Sequence, residues 1–92
     1  MRDWLSTKNV DKMTPSQCRA ARGLLEITQS ELATAADLGL STIVDFEKRR
    51  RVVSVEAVDA IRAALERAGI VFIDENGGGP GVRLRKRKHA KR

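Results

Sequence analysis

The sequence predicts a mainly α domain of four short helices that ends in a C-terminal β-hairpin. Three observations carry that expectation. Apolar residues recur at Leu32, Ala33, Ala36, Leu38, Ile43 and Phe46, the spacing of two amphipathic helices meeting at a tight turn. Thr14 is followed three residues later by Gln17, and Thr28 by Glu31, so each pair can open a helix with a reciprocal cap. After Gly69 the period shortens, and two β-branched runs flank a Gly-rich turn.

A chain of 92 residues holds one small domain, and 41% hydrophobic residues suffice for its core. The aromatics are Trp4, Phe46 and Phe72, so aliphatic side chains and alanines must fill that core. The net charge is +6 and the pI is near 10.3, but the distribution says more than the total. Residues 83–92 hold seven of the 18 Lys and Arg and no acid, which leaves 11 basic against 12 acidic groups in residues 1–82. A nearly neutral body with a basic arm fits a polyanionic partner, nucleic acid before others; a plain solubilising tail is the alternative. One cysteine, Cys18, excludes an intrachain disulfide and a Cys-based metal cluster. The opening MRDWLSTKNVDK lacks the apolar run of a signal peptide, and no stretch approaches the roughly 20 apolar residues of a membrane span. A cytoplasmic protein without a membrane partner is expected.

Residues 1–13 show no clear period and read as a flexible lead-in. Thr14 then caps a first helix over Pro15 to Leu25, with Pro15 at the first helical position. Cys18, Ala21, Leu24 and Leu25 are expected on its inner face, with Cys18 a small core residue and Arg19 and Arg22 turned elsewhere. The second helix runs from Gln29 to Ala36, and its small alanines permit a close helix crossing. Asp37 falls where the turn needs a left-handed backbone, Leu38 plugs the turn into the core, and Gly39 caps the third helix. That helix, Leu40 to Lys48, turns Ile43, Phe46 and Glu47 inward and leaves Leu40, Ser41, Val44, Asp45 and Lys48 outside. Val52 and Val53 form an extended link, Ser54 caps a fourth helix, and Val58, Ile61, Leu65 and Ala68 mark its buried stripe. Gly69 ends it, and Arg62 with Glu66 forms an outer pair. Ile70–Ile73 and Val82–Arg85 read as the hairpin strands, and residues 86–92 as a disordered basic tail.

Two helices joined by a tight turn over Gln29 to Glu47 form a helix-turn-helix, and these residues resemble the Cro/cI-like (XRE) family of small bacterial regulators. Gln29, Leu32, Ala33 and Ala36 match that family's Q-x-x-L-A-x-x-A, and Thr42, Ile43, Phe46 and Glu47 match its T-I-x-x-apolar-E. With the flanking helices the likeness covers about Thr14 to Ala68. It implies a DNA-binding transcriptional regulator that acts as a homodimer, and no enzyme. By the same resemblance Leu40, Ser41 and Asp45 face base edges, Thr42 and Gln29 touch phosphates, and Arg49, Arg50 and Arg51 meet the backbone in the following loop. Asp37 replaces the usual turn glycine, Gly39 replaces a polar cap, and the hairpin replaces a common fifth helix.

The outer set is thin in base readers. Leu40 and Val44 offer apolar contact to a thymine methyl, Ser41 discriminates little, and Asp45 either accepts from cytosine N4 or simply pairs with Arg49 one turn on. Lys48 and Arg49–Arg51 exceed what a helix dipole calls for and suit phosphates. Dimerisation is expected through Ile70, Val71, Phe72, Ile73, Val82 and Leu84, unless the hairpin packs on its own helices instead. No catalytic constellation is present: His89 sits in the basic tail, and Gly77–Gly79 precedes neither a helix nor a Gly-Lys-Ser/Thr sequence. No metal or cofactor is expected. The domain plan is therefore a lead-in at 1–13, the helix-turn-helix domain at 14–69, the hairpin at 70–85 and the tail at 86–92. Double-stranded DNA and a second copy are the expected partners. The competing role is a protein-interaction module of the same fold, an antitoxin or antiactivator bound to a regulatory protein.

Overall fold

The computed structural model describes residues 13–75 and 77–85. The expected lead-in over residues 1–12 and the tail at 86–92 lie outside the described residues, as does Asn76. Four helices, α1 (Pro15–Leu25), α2 (Gln29–Ala36), α3 (Leu40–Lys48) and α4 (Val55–Arg67), precede two antiparallel strands, β1 (Ile70–Ile73) and β2 (Gly81–Leu84). The fold is the one the pattern predicts, mainly helical with a C-terminal hairpin.

Local chemistry fixes the helix starts. Thr14 Oγ1 accepts from Gln17 N at 3.0 Å while Gln17 Oε1 accepts from Thr14 N at 2.9 Å. Thr28 and Glu31 repeat the box at 3.0 and 2.8 Å, and Ser54 Oγ accepts from Ala57 N at 3.1 Å. Gly39 opens α3 without a side-chain cap. The ends of α1, α2 and α3 share one device. Glu26, Asp37 and Arg49 each adopt the left-handed conformation, with φ of 59°, 59° and 56°. The next residue's N–H then bonds back across the last turn: Ile27 to Arg22 O at 3.1 Å, Leu38 to Ala33 O and Arg50 to Asp45 O, both at 2.9 Å. Ile27 and Leu38 reach the core from these turns, the apolar contact that accompanies such caps.

The core gathers one stripe from each helix. Cys18 and Ala21 of α1, Leu32 of α2, Ile43 of α3, and Ile61 and Leu65 of α4 are all at most 1% exposed. Leu24 does not join them and is 42% exposed, contrary to expectation. It stands roughly 240° round the helix from Cys18, whereas Arg22 stands only about 40° away. On α4 the stripe is completed by buried Ala64, and Ala68 is the exposed C-cap. Met13, expected in the lead-in, is buried against the core at 3% exposure, so the packed region begins one residue earlier.

The hairpin lies on α1 and α4. Its register pairs Ile70 with Leu84 and Phe72 with Val82, so these four share a face. That face turns inward: Ile70 is 1% exposed, and Phe72 and Val82 pack on the core. These three expected dimer contacts therefore serve the chain's own core, leaving as candidates Val71 and Ile73 on the opposite face and half-exposed Leu84 at the end of the inner face. The second strand also starts at Gly81, one residue before the expected position, because Gly81 pairs with Ile73. Gln17 Nε2 donates to Gly81 O at 2.9 Å and Ile73 O at 3.3 Å, so one side chain caps α1 and ties down the loop end of the hairpin. The Arg62 guanidinium stacks on Phe72, 4.7 Å from the ring centroid.

Candidate nucleic-acid interface

The inner side of α3 is anchored by a charge. Glu47 is 2% exposed, and a carboxylate so placed must be fully paired. Arg22 supplies a bidentate pair, Nε to Oε2 at 2.8 Å and Nη2 to Oε1 at 2.7 Å. Gln29 Nε2 adds a bond to Oε1 at 3.0 Å, and Cys18 Sγ one to Oε2 at 3.1 Å. Burial works to raise the Glu47 pKa, but the donors from Arg22, Cys18 and Gln29 together hold it below the usual carboxylate value. Burial, reinforced by the neighbouring carboxylate, pushes the Cys18 thiol strongly up, so it stays protonated and inert. Among the described residues no buried side-chain nitrogen or oxygen lacks a partner. The cluster locks α1, the start of α2 and the end of α3 to one another, which fixes the angle at which α3 leaves the body.

This arrangement alters two expectations. Arg22, expected to face away, lies on the stripe and pairs with Glu47. The signal is present in the sequence: an acid on an apolar face calls for a cation, and Arg22 lies four residues after Cys18. Gln29, expected at a phosphate, also gives its amide nitrogen to Glu47, because the buried carboxylate needs donors.

The outer side of α3 is open. Leu40 is 48% exposed, and Ser41 and Lys48 are exposed beside it. Val44 and Asp45 share this side but are only half-buried, and Thr42 lies half-buried at its margin. Lys48, Arg49, Arg50 and Arg51 continue it past the helix end, all exposed. Asp45 does not pair with Arg49. It meets Arg51 Nε at 2.8 Å through Oδ2 and Arg50 Nη1 at 3.9 Å through Oδ1. The left-handed turn at Arg49 reverses the chain and folds the next two residues back over the last turn of α3.

Other arginines are committed to structure. Arg19 donates to Glu47 O at the end of α3, Arg67 Nη2 to Ala35 O at the end of α2 at 3.2 Å, and Arg85 Nη1 to Glu66 O at the end of α4 at 3.4 Å. Each puts positive charge on carbonyls at a helix C-terminus, where the dipole favours it. Among the described residues, the exposed cations that hold no helix-end carbonyl are Lys48 to Arg51, where α3 ends, and Arg83 on β2. Among the described residues no group of three or more His, Cys, Asp and Glu side chains is placed to hold a metal, and no helix is long and apolar enough to cross a membrane.

A family model described as helix-turn-helix matches residues 19–68, from within α1 through the end of α4. No curated protein matches the chain.

Proposed function

The chain belongs to the Cro/cI-like (XRE) helix-turn-helix family of DNA-binding regulators, and from that membership we propose that it is a transcriptional regulator that binds operator DNA as a homodimer. The observation that carries this reading is the division of α3. Its inner side is locked to the body by Glu47, and its outer side runs unobstructed from Leu40 and Ser41 into a cluster of exposed cations. A helix held so rigidly and left so open on one side suits insertion into a major groove. Leu40, Ser41 and Val44 face base edges, Thr42 meets a phosphate at the groove wall, and Lys48, Arg49 and Arg50 take backbone phosphates. The basic residues at 83–92 add charge for the same polyanion. A cytoplasmic site of action follows from the DNA partner. Val71 and Ile73 on the outer face, with the strand edges and with Leu84 where the hairpin's chain ends emerge, form the contact between the two copies.

A salt series on duplex DNA from upstream of the protein's own gene tests the reading. The slope of log K against log salt falls by roughly 0.9 for each phosphate that is no longer neutralised, so Lys48→Ala/Arg49→Ala, which removes two cations from each protomer of the dimer, should flatten it by about 3.6. Sedimentation of the free protein should give twice the chain mass, and Val71→Asp should give the monomer. Binding that ignores salt, or that the double substitution leaves unchanged, would sink the DNA surface. It would favour a protein-interaction module, for which the carboxylate on the outer side of α3 speaks.

A further inference from the structure

The DNA-facing side of α3 carries a carboxylate, Asp45, that would repel phosphate if it stood alone. It does not: Arg51 folds back from beyond the helix end and places its Nε 2.8 Å from Asp45 Oδ2. The bond is made through Nε alone. The two Nη atoms are without a partner among the described residues, and the Arg51 side chain remains 52% exposed. The pair therefore presents a guanidinium fork at Asp45, on the side of α3 that also carries Leu40, Ser41 and Val44, held at its base by a carboxylate that is only 19% exposed.

Charge and geometry favour different targets for such a group. A guanidinium already neutralised by a carboxylate gains little from a phosphate, because the counterion-release term depends on net charge brought to the backbone. Its free edge is undiminished for neutral acceptors. The paired donors of an arginine fork match O6 and N7 of guanine in the major groove, a bidentate contact that discriminates between base pairs. Pinning through Nε also removes rotamer freedom before binding, which lowers the ordering cost on association.

We propose that Arg51 is a specificity-determining residue that reads a guanine edge, and that Asp45 is the residue that positions it. The proposal rests on the DNA-binding reading above. It reassigns Arg51 from the phosphate backbone to a base and supplies the bidentate reader that the outer set on α3 lacks. Arg50 keeps a phosphate role, since its Nη1 stands 3.9 Å from Asp45, beyond hydrogen-bond reach.

The test selects binding sites from a random-sequence duplex library with the full chain. It then titrates the enriched duplex and single-base variants for wild type, Arg51→Lys, Asp45→Ala and Lys48→Ala. Wild type should enrich a G·C pair at a fixed position in each half-site. Arg51→Lys keeps the charge and removes the fork, so preference at that pair should fall about tenfold with the salt slope unchanged. Asp45→Ala should relax the same position and no other. Lys48→Ala should weaken every sequence alike and lower the slope by about two, one for each protomer. Retention of all base preferences by Arg51→Lys overturns the proposal. So does Asp45→Ala that binds every sequence more tightly with its preferences intact, the mark of a mere shield. Wild type that enriches no site and shows no salt-dependent binding overturns the DNA-binding reading as well, and that result is distinct from the other two. Circular dichroism of each variant confirms that these surface changes leave the helices formed.

Discussion

Asp45 and Glu47 stand two residues apart on one helix and use their charge in opposite ways. Glu47 lies inward, is 2% exposed, and accepts from Arg22, Gln29 and Cys18. Asp45 lies outward, keeps contact with water, and pairs with arginines whose side chains are 60% and 52% exposed. Glu47 has no alternative to its partners, because an unpaired carboxylate in that place is costly. Asp45 has an alternative in solvent, so its pair contributes little to folding. One helix thus separates a part that fixes the fold from a part free to meet something else.

The sharpest way to break this contrast is to remove Arg22. Arg22→Ala strands a carboxylate whose side chain is 1% exposed, and should cost about 3–5 kcal/mol in urea unfolding, enough to abolish much of a small domain's stability. The reciprocal Glu47→Ala should cost less, because Arg22 is 20% exposed and can turn to water. Replacing both by apolar residues, Arg22→Met with Glu47→Leu, should recover most of the loss. A cost below about 1 kcal/mol for Arg22→Ala would mean that the inner pair is no more structural than the outer one.

Acid should separate the two sides next. The pKa of Glu47 is lowered in the fold, so its contribution to stability is complete above the ordinary value of 4.5 and is lost as pH falls through the lower folded value. Stability should therefore hold steady from neutral pH to about 4.5 on this account and fall below it. A Glu47→Gln variant, less stable at neutral pH, should fall less over the same acid range. Parallel curves for the two proteins would remove Glu47 from the acid transition.

Gln17 extends the contrast to an uncharged group. It is 6% exposed, accepts from Thr14 N and donates to Ile73 O and Gly81 O. Gln17→Ala should cost about 1–3 kcal/mol, through the missing cap and the carbonyls left bare. Gln17→Glu keeps the cap but sets an acceptor against two carbonyls, so it should cost about as much and speed amide exchange in β1 and β2. If the glutamate variant is as stable as wild type, the hairpin does not depend on this tie.

How legible these features are in the sequence depends on how local their causes are. The helix starts are written in three-residue patterns, Thr14 to Gln17 and Thr28 to Glu31, and the structure places the helices where those patterns put them. The turn at Asp37 is readable from its position between two apolar stripes. The hairpin's inner face is not readable, since Ile70 and Phe72 are as apolar as Val71 and Ile73 and alternation alone cannot rank them. Arg22 reads as outward when its charge is weighed and its position on the stripe is not. The pairing of Asp45 with Arg51 depends on a left-handed backbone at Arg49, a residue type that gives no sign of one.

Asp37 offers a smaller effect of opposite sign. It holds φ at 59° without a glycine, in a turn where its side chain is exposed. Asp37→Gly should relieve the left-handed strain and raise stability by about 0.5–1 kcal/mol, a few degrees in Tm for a domain of this size. A decrease instead would show that the Asp37 side chain holds the turn by bonds of its own.

The smallest effect falls on the outer carboxylate. Asp45→Ala should change stability by less than about 0.5 kcal/mol, since an exposed pair gains little and both arginines return to water at no cost. The same substitution should be felt on DNA, where Arg51 is deprived of the support that aims it. The two results together carry the contrast with Glu47, because a residue that is silent in unfolding and audible in base preference is set for a partner and not for the fold. A double-mutant cycle between Asp45→Ala and Arg51→Lys makes the separation quantitative. Its coupling should be near zero in urea and close to the full effect of either single change in base preference. Coupling of similar size in both measurements would place Asp45 with Glu47, as a second structural charge on the same helix.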